Sequence, residues 1–153
     1  MPAIREFKER RNIVEARGIF CAGIGALGSA IAAALGGWDA PLLTLIICMA
    51  ADYATGLLVA GIFHASKKST GGGLESAAGW KGLSRKAATL LLILVAHFTD
   101  TLLGTDCVRN AVVIGFCTNE ILSIVENAGL MGLPIPAALA KAIDVLKNQS
   151  EAQ

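Results

Sequence analysis

The chain has 153 residues, of which 54% are hydrophobic and only 16% charged, and its formal net charge is +1. Soluble domains carry about 25% charged residues, so this composition, with a mean hydropathy of +0.62, excludes an ordinary soluble domain and points to a bilayer. A net charge so near zero leaves no overall field for nucleic acid. The uneven placement of the charges therefore becomes the informative quantity.

Residues 1–18 form a polar leader dense in charge, with Arg5, Glu6, Lys8, Glu9, Arg10, Arg11, Glu15 and Arg17. Ile4, Phe7, Ile13 and Val14 recur at roughly helical spacing. The leader reads either as a short amphipathic helix on the membrane surface or as a solvated terminus. Residues 19–38 are free of charge and long enough to cross about 30 Å of hydrocarbon at about 1.5 Å per residue. Gly25 and Ser29, and again Gly28 and Ala32, stand four apart, the small-residue spacing that lets membrane helices approach closely. A cleaved signal peptide is the alternative, and the acidic residues of the leader argue against it.

A second span follows at 41–63, opened by Pro41 and interrupted by Asp52, with Gly56 one turn further on and Trp38 at the expected interface. Residues 64–86 read as a polar loop with a flexible break at Gly71-Gly72-Gly73 and with the membrane-edge bases Lys81, Arg85 and Lys86. A third span is expected at 87–104, carrying His97 and Asp100, and a fourth at 110–130, carrying Asn119, Glu120, Ser123, Glu126 and Asn127. The segment 132–153 breaks at Pro134 and Pro136. It then reads as a short amphipathic helix from Ala137 to Lys147, with Leu139, Ile143 and Leu146 opposite Lys141, Asp144 and Lys147. The fold class that follows is all-α, a polytopic membrane protein of about four spans in residues 19–131, flanked by short amphipathic segments.

The bases give the orientation. Of 13 Lys and Arg, five precede the first span, five lie in 64–86 and two in the tail, leaving only Arg109 for the other short loops. Four spans with both termini cytoplasmic place 12 of the 13 inside, as the positive-inside rule asks. The expected location is the bacterial cytoplasmic membrane.

The polar residues within the spans need partners. A central Asp costs about 2.5–3.5 kcal/mol on insertion, against about 0.3–0.6 returned by each Leu or Ile. His97 and Asp100 thus offset most of what their own span gains. They share a helix face, and Asp52 is expected to face them from the second span. Such a group reads as hydrogen-bonded glue between helices or copies, or as a proton path. No metal site is expected, because nothing supplies third and fourth ligands, and no cofactor. Cys21, Cys48, Cys107 and Cys117 lack CxxC spacing and read as small apolar residues. Neither GxSxG nor HExxH occurs, so the chain does not read as an enzyme.

From Asp52 onward the chain resembles the toxin-secretion/phage-lysis holins. The resemblance rests on Asp52-x-x-Thr55-Gly56, on Ser76-x-x-Gly79-x-Lys81-Gly82-x-x-Arg85-Lys86, and on Asp100 with Arg109 beyond it. Most specific is Phe116-x-x-Asn119-Glu120-x-x-Ser123-Ile124-x-Glu126-Asn127, followed by Gly132-x-Pro134-x-Pro136. The resemblance implies a protein that accumulates in the cytoplasmic membrane, pairs with copies of itself and opens lesions for an endolysin or a toxin. It carries over no catalytic residues. Members are often drawn with three spans, whereas the residue pattern here gives four. The alternatives are a non-lytic small channel and an antiholin-type regulator. A holin releases cytoplasmic protein, a narrow channel leaks only ions, and a regulator shifts another protein's timing.

Overall fold

The computed structural model describes residues 2–69, 71–138, 141 and 145. Four helices account for most of them: α1 (Pro2–Ala34), α2 (Ala40–Gly61), α3 (Ser76–Leu103) and α4 (Cys107–Leu130). No strand occurs among the described residues. Each helix is long and apolar enough to cross a membrane, over Ile13–Ala34, Ala40–Gly61, Ser76–Leu103 and Cys107–Leu130. The chain is a multi-pass membrane protein.

The chain divides into two compact units, residues 1–38 and 39–153. In the first, the leader and the first span form one unbroken helix of 33 residues, not a separate surface helix joined to a span. A single Gly18 costs a helix only about 1 kcal/mol, and Pro2 stands at the first helical position, where its missing N–H is not needed. The candidate membrane-length stretch of this helix is Ile13–Ala34. Gly36 and Gly37, both at φ 97°, end the helix, and Gly37 donates its N–H to the Ala32 carbonyl at 2.7 Å.

In the second unit, α2 and α4 run parallel and α3 runs antiparallel to both. Helix α4 packs on α2 and on α3, while α2 and α3 touch each other far less. Asp39 caps α2 by accepting the Leu42 N–H at 3.0 Å. The seam buries Leu42, Leu45, Met49 and Val59 of α2, Ile93 and Ala96 of α3, and Val113 of α4. The outer faces are equally apolar but uncovered, with Leu43, Ile47, Leu91, Leu92, Val95, Phe98 and Ile114 exposed. Helices apolar all round need lipid or other protein on those faces.

Helix α3 corrects the expected loop. It starts at Ser76, so the connection after α2 spans 62–75 and not 64–86, and Lys81, Arg85 and Lys86 lie on a helix. Polar residues hid this start from a hydropathy reading, although Ala77, Ala78 and Ala87 favour a helix. At about 1.5 Å per residue the 28-residue helix exceeds the hydrocarbon thickness, and Trp80 stays exposed on its first turns. The glycine run closes a turn instead of merely breaking the chain. Ser66 donates its N–H to the Gly72 carbonyl at 3.0 Å. Gly72 has φ 72°, and a Cβ there would lie 2.3 Å from the His64 carbonyl oxygen. Of the C-terminal helix expected at 137–147, only 137, 138, 141 and 145 are described; the remainder lies outside the described residues.

Candidate functional site

Inside the three-helix unit the polar residues gather in two layers. In the first, Lys86 of α3 reaches between carboxylates on the two other helices. Its Nζ lies 2.9 Å from Asp52 Oδ2 and also donates to Glu120 Oε2. The three side chains are only 10–14% exposed, so the charges stabilise one another in a poorly solvated place. Asn127 donates from Nδ2 to Asp52 Oδ1 at 3.3 Å and to Thr55 Oγ1 at 3.0 Å. The Thr55 hydroxyl in turn donates to the Asp52 carbonyl at 3.0 Å, and the Ser123 side chain lies near the Asp52 carboxylate. Gly56 adjoins this amide, and a Cβ there would meet Asn127 Nδ2 at 3.8 Å, an ordinary contact.

The second layer lies at the other end of the unit. Asp100 is buried and caps the start of α4. It accepts from the Thr105 hydroxyl at 2.6 Å, the Val108 N–H at 3.1 Å and the Arg109 N–H at 2.7 Å. The Arg109 guanidinium then grips Asp39 with two bonds, Nη1 to Oδ2 at 2.5 Å and Nη2 to Oδ1 at 3.1 Å. This fork is the geometry in which Arg–carboxylate pairs are strongest. It holds the Asp39 carboxyl below the usual carboxylate range. The ends of α3, α4 and α2 are thereby tied in series.

The structure therefore brings Asp52, Thr55, Glu120, Ser123 and Asn127 together, as neighbours of Lys86. Lys86 is not a membrane-edge base with Lys81 and Arg85. Its ammonium points into the helix seam, because it shares a stripe with the buried Thr89, Ile93, Ala96 and Asp100. Asp52 does not meet His97 and Asp100. Lys86 and Asp100 are fourteen residues apart on one helix, about 21 Å at 1.5 Å per residue, so Asp52 and Asp100 belong to different layers. His97 is half-buried and its ring lies against Phe98, with centroids 5.8 Å apart. Asn119 and Glu126 are exposed. On α1, Gly25 and Gly28 have open space around them, Ser29 is exposed, and Ala32 is buried.

Sequence reasoning missed the Asp39–Arg109 pair, although a signal was present. Arg109 is the lone base of its loop, and four spans put the starts of α2 and α4 on one side of the membrane. A carboxylate at the start of α2 is then its natural partner.

Comparison with known proteins gives this architecture a family. The bacteriophage holin family matches residues 29–148, which takes in α2, α3, α4 and both polar layers and leaves most of α1 outside. An uncharacterised protein of Halalkalibacterium halodurans is 35% identical over 128 residues, covering 80% of this chain and 89% of its own. An uncharacterised 14.9 kDa protein of Clostridium perfringens, encoded in the nagH 3' region, is 35% identical over 129 residues, covering 83% of this chain and 92% of its own. The "Probable holin" of Bacillus phage phi105 is 33% identical over 79 residues, 51% of this chain and 58% of its own. No solved structure matches. With the family match running through the whole three-helix unit, the chain belongs to the bacteriophage holin family.

Proposed function

We propose that this chain acts as a holin: copies assemble in the bacterial cytoplasmic membrane and open lesions through which an endolysin, or in some settings a toxin, leaves the cell. Family membership supports the reading, and so does the relative from phage phi105. The observation that carries it is the inward polar layer of Asp52, Thr55, Lys86, Glu120, Ser123 and Asn127, enclosed by helices whose outer faces are apolar. A water-filled opening needs hydrophilic wall, and a protein waiting in lipid must keep that wall covered. One chain here does both by turning its polar surface toward its own neighbours. Assembly of many copies re-partners those groups and presents them to water. The small-residue face of α1 around Gly25 and Gly28 gives neighbouring helices a place to approach closely.

The same reading sets both termini in the cytoplasm, on the positive-inside rule. Lys86 and Arg109 are held by carboxylates within the three-helix unit, and the positive-inside rule sets the other bases on the cytoplasmic side.

Leucine at Glu120 or at Asn119 should change the onset of lysis or abolish it when each variant accumulates in the membrane to the wild-type level. Glu120→Leu removes one carboxylate from the Lys86 ammonium. Asn119→Leu makes an exposed polar position of α4 apolar. Optical density followed after induction checks this, and unchanged onset in both variants would count against a lining role for α4.

A further inference from the structure

We propose that Cys48 of α2 and Cys117 of α4 form a site of reversible disulfide cross-linking that locks these two helices together.

The four cysteines are not equivalent. Cys21 and Cys107 are exposed, whereas Cys48 and Cys117 are half-buried. Helices α2 and α4 run parallel, and Asp52 and Glu120 meet across them through Lys86. Cys48 lies four residues before Asp52, and Cys117 lies three residues before Glu120. Positions three and four apart share a helix face, so both thiols sit about one turn from the charged layer, on the same side of it and on the facing surfaces. The buried neighbours agree. Cys48 is three residues after Leu45, Cys117 is four after Val113, and both Leu45 and Val113 are fully enclosed. The two helices are also the most closely packed pair in the unit.

The chemistry balances with a two-electron oxidant such as a membrane quinone or a diazene. Each thiol gives up one proton and one electron, the S–S bond forms, and the oxidant is reduced by two electrons and two protons. A dithiol reverses the step by exchange through a mixed disulfide. No other covalent bond joins α2 to α4 except the chain itself, and the bond would fall beside the polar layer. The consequence for activity rests on the holin reading: if opening separates α2 from α4, the oxidised form stays closed.

The full-length protein in phospholipid vesicles is treated with diamide, alkylated and mapped by mass spectrometry. The expected product is a Cys48–Cys117 peptide pair within one chain, reversed by dithiothreitol. Cys48→Ser and Cys117→Ser should each lose it, and the Cys21→Ser/Cys107→Ser double variant should keep it. Alkylation of Cys48 and Cys117 after oxidant treatment, or cross-links only between copies, would overturn the site. The same vesicles carry a trapped dye. Oxidation should suppress release, dithiothreitol should restore it, and Cys48→Ser protein should ignore both. Release that persists through a mapped cross-link would overturn the lock. Absence of release from the reduced protein would instead speak against the holin reading, and the peptide map would still decide the site.

Discussion

Replacing Lys86 with methionine should destabilise the three-helix unit by about 3–5 kcal/mol, the cost of leaving buried charges without their partner. Two carboxylates, Asp52 and Glu120, depend on this one ammonium, and none of the three side chains is more than 14% exposed. Methionine fills similar volume, so the loss is electrostatic and not a cavity effect. Thermal unfolding in detergent micelles, or urea unfolding where it is reversible, reads the difference. The triple variant Lys86→Met/Asp52→Asn/Glu120→Gln should recover most of the loss, since a removed buried ion set is often close to neutral. A single variant as stable as the wild type would mean that the carboxylates find water in the native state, and the enclosed charged layer would be wrong.

The second large effect is expected at Asn127. Leucine there removes both donors of the amide, one serving Asp52 and one serving Thr55, in a residue only 6% exposed. The lost bonds and the acceptors left behind should cost about 2 kcal/mol. The added bulk also meets α2 beside Gly56. Asn127→Asp keeps the size but sets a second carboxylate beside Asp52, and it should be worse than leucine. Measured unfolding free energies in the order wild type, leucine, aspartate would match this account. An aspartate variant more stable than the leucine variant would contradict it.

The two predictions also show what could be read from the sequence. The spans were legible because long apolar runs have few other uses, and Asp52, Thr55, Glu120, Ser123 and Asn127 stood out as polar groups inside them. Their partner did not. Lys86 sits at the edge of its apolar run, where long basic side chains commonly reach for the interface. Whether it does so or turns inward depends on the stripe it occupies. The spacing from Lys86 through Thr89, Ile93 and Ala96 to Asp100 contained that information, but only once the helix was known to begin at Ser76. The expected meeting of Asp52 with His97 and Asp100 failed for a different reason. Sharing a face is a local property, whereas height along the helix decides which residues of another helix come within reach. Asp100 lies one turn from the end of α3, where the free N–H groups of α4 claim its carboxylate. The unbroken α1 was obscured by its charges, which mark where a helix meets water and say nothing about where it ends.

The most direct test of the account is induction of the chain in bacteria with membrane potential and release of an endolysin-sized cytoplasmic enzyme followed together. The holin reading predicts abrupt depolarisation accompanied by release of the enzyme. Depolarisation with the enzyme retained would replace the protein-sized lesion with a narrow ion path. Neither effect, with the protein confirmed in the membrane, would contradict lesion formation and favour a regulator of another holin.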